Sequence, residues 1–126
     1  MKKVLITGAA SGLGRAMALR YAREGAHICI ADINMEGAAE TLSMVENAGG
    51  KGWIHELDVR SEEAWNQLHR EVVSRWNGID IVINNAGVAT GDRIEDGDWA
   101  WWDWIIDINL KGVALGCRTF PPMMKQ

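Results

Sequence analysis

Cysteine, proline, tyrosine and long apolar runs are all scarce in this sequence, and each scarcity excludes something. The two cysteines, Cys29 and Cys117, lie far apart in apolar or helical surroundings. They do not make a disulfide framework, and reduced thiols of a cytoplasmic protein fit them better. The two prolines stand together at Pro121-Pro122, which leaves no linker or proline-rich tract. There is no repeat. A single tyrosine, Tyr21, leaves one candidate for any chemistry that needs a phenol. No apolar run approaches transmembrane length. After the basic Met1-Lys2-Lys3 only Val4-Leu5-Ile6 precede Thr7, too short for the apolar region of an export signal. The expectation is a cytoplasmic protein without a membrane partner. Lysine and arginine number 13 against 17 acids, a net charge of -4 without a basic cluster, so nucleic acid is not an expected partner. His27, His55 and His69 lack the convergent spacing of metal ligands, and no metal is expected.

What is present is an alternation. A chain of 126 residues predicts one domain, 1–126. KVLIT, Lys3 to Thr7, reads as a buried strand stopped by Gly8. Helices are predicted over Gly12 to Glu24, ended by Gly25, and over Asn34 to Ala48, ended by Gly49-Gly50. Between them Ala26 to Ala31 forms a second strand, closed by Asp32. Lys51 to Leu57 is a third, less regular strand. Ser61 caps a third helix with Glu62 and Glu63 in its first turn and a buried stripe of Trp65, Leu68, Val72 and Trp76. Ile79 to Ile83 is the fourth strand, and a polar loop runs from Asn84 to about Asp98. Trp99 to Lys125 reads as helix, in one or two segments, with the paired prolines ending or kinking it. Trp102, Ile105, Ile106 and Asn109 share helical spacing there, and the tryptophans read as packing and surface. Strands alternating with helices through short connections predict an α/β doubly wound parallel sheet of Rossmann type, ending after the fourth strand and its helix.

In such a sheet, ligands sit at the carboxyl ends of the strands where strand order reverses. The loop Thr7–Gly14, TGAASGLG, lies at that place. Gly8 allows the turn out of the strand, Gly12 lets a diphosphate approach the backbone, and Gly14 lets the helix pack on the sheet. The N-terminus of that helix offers free amides and a positive dipole end. Asp32 ends the second strand near the spacing of about 20 residues at which an acid accepts from an adenosine ribose. A carboxylate there suits the 2′-hydroxyl of NAD and repels the 2′-phosphate of NADP. Arg15, beside the loop, is the opposing observation, since a guanidinium accepts phosphate. NAD is favoured over NADP. The alternative for Asp32 is a strand-end acid capping the next helix.

Asn84-Asn85-Ala86-Gly87 follows the fourth strand, Asp58-Val59 the third, and Asp107-Ile108-Asn109 sits in the last helical stretch. With TGAASGLG, these four motifs in order resemble the classical short-chain dehydrogenases/reductases over essentially the whole chain. The resemblance implies hydride transfer between a nicotinamide and a small alcohol or carbonyl substrate, in a homo-oligomer. It implies that Thr7, Gly8, Ser11, Gly12, Leu13 and Gly14 of the loop hold the cofactor. Asp32, Asp58, Val59, Asn85, Ala86 and Gly87 join them, with Asp58-Val59 against the adenine. It gives Asn109 a catalytic role, holding a water in a proton relay. Each motif also has a plainer reading: Asp58 as a turn residue before Ser61, Asn84 and Asn85 as turn formers, Asn109 as an exposed helix residue.

The family's proton donor is a tyrosine with a lysine four residues later, beside a serine. Tyr21 has Gly25 at that spacing and lies in the first helix. The expectation is therefore an N-terminal part of an oxidoreductase, able to supply the adenosine side of the site but inactive alone. The alternatives are a non-catalytic dinucleotide-binding or interaction module, or one part of a split enzyme. A methyltransferase shares the glycine loop and the acid but has no use for Asn-Asn-Ala-Gly. With the second strand neighbour of Ile79 to Ile83 missing, a marginal, association-prone fold is expected.

Overall fold

The computed structural model describes residues 1–125. Four strands, β1 (Lys3–Thr7), β2 (His27–Asp32), β3 (Lys51–Glu56) and β4 (Ile81–Ile83), form one parallel sheet in the order β3-β2-β1-β4. Strand order reverses at β1, where Leu5 stands between Cys29 and Val82. Helices α1 (Gly12–Arg23), α2 (Met35–Asn47) and α3 (Glu62–Trp76) make the crossovers. After β4 come α4 (Trp99–Ile106), a π-helical turn (Asp107–Lys111), α5 (Gly112–Thr119) and the short α6 (Pro121–Met124).

Successive residues of a strand point to opposite faces, and the core divides accordingly. Val4, Ile6, Ile28 and Ile30 pack with Ala18 and Ala22 of α1 and Ala38 and Val45 of α2. Leu5, Cys29 and Ala31 pack on the other face with Trp65, Leu68 and Val72 of α3 and with Leu115 and Phe120. β1 and β2 read as continuous apolar runs because both of their faces are covered.

Three helices carry a side-chain cap. Asn34 accepts from Gly37 N at 3.0 Å, Ser61 from Ala64 N at 3.1 Å, and Asp98 from Ala100 N at 2.9 Å. α1 has none: Ser11 is its N-cap but its side chain bonds no amide, and its first turn holds no acid.

Three expectations need correction. β4 is shorter than Ile79 to Ile83, because the Asp80 carboxylate takes the Lys3 N–H at 2.8 Å where a ladder carbonyl would. The last helix is interrupted at Asp107–Lys111 by a π turn, whereas the break at Phe120, where the two prolines start α6, is as expected. The stripe of Trp102, Ile105 and Ile106 does not enter the core: Trp102 and Ile105 are only partly covered, no residue of α4 is fully buried, and Ile106 is 46% exposed. The tryptophans there pair with each other instead, Trp101 with Trp104 at 5.5 Å and Trp99 with Trp102 at 6.3 Å. Among the described residues no strand pairs with the outer edge of β4, and no helix is long and apolar enough to cross a membrane.

Candidate functional site

A cleft of about 540 Å³ opens at the carboxyl ends of the strands. Gly8, Ser11, Gly12 and Leu13 form one wall, Asp32 and Ile33 an end, and Leu57 to Arg60 the opposite side. Asn85 to Val88 form its floor beside β4, with Trp104 and Ile108 at the far rim. The lining crosses the reversal point between β1 and β4, the general ligand position of open α/β sheets.

The glycine loop is shaped by contacts that no other residue type permits. Gly8 has φ +68°, and a Cβ there would stand 2.8 Å from Ala86 Cα. A Cβ on Gly14 would land on the Gly8 carbonyl oxygen, so α1 enters against the strand end. Gly12 differs. Its φ is +57°, but a Cβ would meet nothing within 4 Å, because the space in front of it is the cleft. The first amides of any α-helix lack intrahelical acceptors. In α1 the Ser11 side chain satisfies none of them and the first turn holds no acid, so the positive dipole end is uncompensated where Ser11, Gly12 and Leu13 line the cleft.

Thr7 is buried and lies behind this wall. Its hydroxyl donates to Ile83 O at 3.4 Å and accepts from Asn85 N and Ala86 N, both at 3.0 Å. The Asn85 side chain donates to Thr7 O at 3.1 Å and Gly8 O at 3.3 Å. Thr7 and Asn85 thus tie the ends of β1 and β4 together at the reversal point. Asn84 turns away, its amide donating to Cys117 Sγ at 3.7 Å.

Arg15 is spent on the scaffold. It donates to Thr41 Oγ1 at 2.9 Å, to Ala10 O at 2.7 Å, and at 3.3 Å to Gly37 O and Glu40 Oε1. Thr41, fully buried, passes its own hydroxyl to Ala9 O at 2.8 Å. Together they fix the loop to α2. Asp32 accepts from Ala10 N at 3.0 Å on one oxygen and from Asn34 N at 2.9 Å on the other. The next helix is capped by Asn34 and not by Asp32. A carboxylate offers about four acceptor positions, so each oxygen keeps a lone pair for the cleft.

On the opposite side Asp58 is clamped by Arg60. Oδ1 accepts from Arg60 N and Nε, both at 3.0 Å, and Oδ2 from Nη2 at 2.8 Å. These bonds hold the Asp58 carboxyl below its usual range, chiefly through the guanidinium, against a smaller opposing effect of burial. Asp58 O also accepts from Ser61 N, so the residue builds the turn into α3 as well. Val59 is held by the Trp65 indole, which donates to Val59 O at 2.9 Å.

Asn109 lies outside the cleft lining. Its side-chain amide accepts from Val88 N at 2.8 Å and donates to Val88 O at 2.7 Å. Both of its functional atoms are used on one backbone unit, which pins the loop after Gly87 to the π turn. Tyr21, half-buried, packs with the α1–α2 core cluster and does not line the cleft. Of the thirteen residues singled out from the sequence, ten line the cleft, and Thr7, Gly14 and Asn109 shape it from behind. Sequence reasoning missed Ile33, Leu57, Arg60, Val88, Trp104 and Ile108. Position next to a singled-out residue or motif was the available signal for Ile33, Leu57, Arg60 and Val88, and Ile108 lies inside a quoted motif. Nothing distinguished Trp104 from its neighbours.

The family model for short chain dehydrogenase matches residues 2–126. The chain belongs to the short chain dehydrogenase family. It is 37% identical over 128 aligned residues to a 3beta-hydroxysteroid dehydrogenase of Mediterraneibacter gnavus, covering 98% of this chain and 45% of that protein. It is 34% identical to a cyclopentanol dehydrogenase of a Comamonas strain, covering 98% of this chain and 50% of the relative. Among solved structures it superposes on a short-chain type dehydrogenase/reductase from Mycobacterium marinum with TM-score 0.94 at 28% identity, covering 98% and 50% of the two chains. An alcohol dehydrogenase from the archaeon Thermococcus sibiricus, solved with 5-hydroxy-NADP, matches with TM-score 0.93 at 28% identity, covering 99% and 54%. The chain spans about half the length of these relatives. The short chain dehydrogenase family is thus shown, and with it an oxidoreductase family built on this nucleotide-binding sheet.

Proposed function

We propose that this chain forms the dinucleotide-binding part of an NAD-dependent short-chain oxidoreductase, with NADP the less favoured cofactor. One observation carries the reading. Of the three crossover helices, α1 alone lacks a side-chain cap, and it starts at a glycine that lines the cleft and has open space around its Cβ position, while a carboxylate with spare acceptor positions ends the next strand. A diphosphate fits the amides of Gly12, Leu13 and Gly14 and the unengaged Ser11 hydroxyl. Asp32 accepts from the hydroxyls of the adenosine ribose on its remaining lone pairs, and it repels a 2′-phosphate. Arg15 offers little relief from that repulsion, because four of its five donors are committed to Ala10, Gly37, Glu40 and Thr41. Ile33, Leu57 and Val59 supply apolar surface for a base.

The nicotinamide dinucleotide supplies or accepts a hydride. The chain's own residues bind and orient it: α1 takes the phosphates, Asp32 the sugar, and the Thr7–Asn85 tie holds the two walls in register. Asn109 acts on the cleft through Val88, as a positioning residue. Transfer to a carbonyl, or from an alcohol, also needs a proton donor. Tyr21 lacks a lysine partner and sits in the core cluster beneath α1, so residues outside 1–126 supply that group, on the same or a second polypeptide. The expected behaviour is dinucleotide binding without turnover by 1–126 alone.

Titration calorimetry with NADH and NADPH tests the reading. The expected result is tighter binding of NADH by about tenfold, a difference of about 1.4 kcal/mol, and reversal of the preference in Asp32→Ser. Binding of neither dinucleotide at millimolar concentration rejects the cofactor; tighter NADPH binding by the unaltered chain rejects the role of Asp32.

A further inference from the structure

Asp32 is held in a closed ring of hydrogen bonds, and Arg15 closes it. Asp32 Oδ2 accepts from Ala10 N at 3.0 Å, and Ala10 O accepts from Arg15 Nη2 at 2.7 Å. The same Nη2 donates to Gly37 O at 3.3 Å. Gly37 N donates to Asn34 Oδ1 at 3.0 Å, and Asn34 N returns to Asp32 Oδ1 at 2.9 Å. The ring joins the glycine loop, the end of β2 and the first turn of α2. Arg15 Nε donates to Thr41 Oγ1 at 2.9 Å, which fixes the guanidinium plane from α2. Gly37 sets how closely the two elements approach: a Cβ there would stand 2.9 Å from Ala10 O and 3.0 Å from Ala10 Cβ. Arg15, Gly37, Ala10 and Asn34 do not line the cleft, and the Arg15 side chain is only 22% exposed. Both oxygens of Asp32 are therefore aimed by a frame that lies outside the cleft.

We propose that Arg15 is a positioning residue for cofactor selection, locking the plane of the Asp32 carboxylate through Ala10 and Gly37, with Gly37 as the spacer that lets the ring close. This assignment rests on the dinucleotide reading above. It reverses the sign expected of a cation at this place. An arginine that met a 2′-phosphate would favour NADPH, and its loss would widen the preference for NADH. An arginine that holds Asp32 favours NADH, and breaking its fork narrows that preference. A site residue selects between ligands only while its own orientation is held by the groups behind it. Once loosened, the carboxylate bonds the ribose hydroxyls less well and turns away from a 2′-phosphate more readily. The fork is specific to arginine, since lysine carries a single ammonium on a flexible stem.

Calorimetry with NADH and NADPH on the unaltered chain and two variants tests this. Arg15→Lys keeps the charge and loses the fork. Gly37→Ala alters no charge and forces Ala10 away from α2. In each variant NADH affinity is expected to fall about fivefold or more while NADPH affinity changes by less than about twofold, so the preference narrows from about tenfold to about twofold. A purely structural role for Arg15 would lower the melting temperature and leave the ratio where it was. An unchanged ratio in the folded variants therefore overturns the proposal, as does a preference that widens in Arg15→Lys. If one variant does not fold, as judged by circular dichroism, the other decides. Amide exchange on the unaltered chain needs no variant: Ala10 N–H and Asn34 N–H are expected to exchange at least about tenfold more slowly than in an unstructured peptide. Unprotected exchange at both shows the ring open in solution and overturns the proposal. All of these results leave the dinucleotide reading standing. Binding of neither dinucleotide by the unaltered chain overturns that reading and this assignment together.

Discussion

At Gly12 two demands meet on one residue, and they separate under substitution. Its φ of +57° costs an L-residue about 1–2 kcal/mol, but the space in front of it is open. Gly12→Ala is therefore expected to fold with a melting temperature lower by about 4–8 °C, while NADH affinity falls more than about tenfold because the methyl stands where a phosphate approaches. Gly14 makes the opposite case. Its added methyl collides with the Gly8 carbonyl and the Asn85 amide inside the wall, so Gly14→Ala is expected to cost about 3 kcal/mol or more through backbone displacement. Thermal melts paired with NADH titrations distinguish the two. A Gly12→Ala protein that binds NADH as tightly as the parent would mean that the diphosphate lies elsewhere. Asp32 belongs to this scale as well, since the same carboxylate that is offered to a ribose also holds Ala10 N and Asn34 N. Its replacement costs stability as well as affinity, about 1 kcal/mol for each backbone donor left without its partner.

Elements set where those residues point, and the long-range clamps between elements were the least legible part of the sequence. β1, β2 and the first three helices follow from apolar runs and glycine stops, because local pattern and tertiary burial agree there. The π turn does not: DINLK, Asp107 to Lys111, keeps a helical pattern, and the clamp of Asn109 within it to Val88 spans 21 positions. The hydrogen bonds of Arg15 were not legible for a related reason. Its acceptors on Ala10 and Gly37 are backbone atoms, which a sequence does not display. Arg60 escaped notice because its partner was read as a ligand of adenine. The cleft's glycine and aspartate positions were legible, since backbone approach and carboxylate chemistry restrict the residue type. Asn109→Ala removes both bonds to Val88 at an exposed site where water can substitute. The expected outcome is a melting temperature within about 4 °C of the parent, with the Val88 amide exchanging at least about tenfold faster. Unchanged exchange at Val88 would show that the loop is held by something else. β3 and α3 carry a second prediction. His55 sits against Trp53 at 6.1 Å, and burial lowers its pKa from the ordinary 6.5, with Glu71 opposing in part. The folded state therefore binds the proton less readily than the unfolded chain. Stability is complete above about pH 6.5 and declines as pH falls from there through the folded value. Asp58, also lowered, adds loss in the same direction only below its ordinary 3.8. The melting temperature is expected to fall between pH 7.5 and pH 5.5, and His55→Gln is expected to flatten that slope.

At the scale of the whole molecule, the centre of the sheet and its β4 edge are not equivalent. Val4 to Ile6 and Ile28 to Ala31 are fully buried, whereas Ile81, Val82 and Ile83 of β4 are only half covered. On the same side of the sequence α4 buries nothing, and Trp99, Trp101, Ile106 and Leu110 are 77%, 45%, 46% and 67% exposed. Apolar side chains exposed together mark an association surface, and an unpaired strand edge offers backbone donors and acceptors to another chain. The net charge of -4 gives modest repulsion against this. Residues 1–126 alone are therefore expected to self-associate, with weight-average mass in sedimentation rising across the micromolar range and the melting temperature rising with concentration. Ile106→Lys combined with Leu110→Lys places charge on this surface without touching the buried core, so it is expected to lower the association and leave the dilute melting temperature unchanged. If the parent stays monomeric from about 1 µM to about 1 mM, the exposed face of α4 is compatible with water as it stands, and the marginal fold expected from an unpaired β4 is refuted. If the parent associates and the double variant associates equally, the β4 edge and not α4 drives assembly, and a charged substitution at Val82 becomes the variant that must dissociate it.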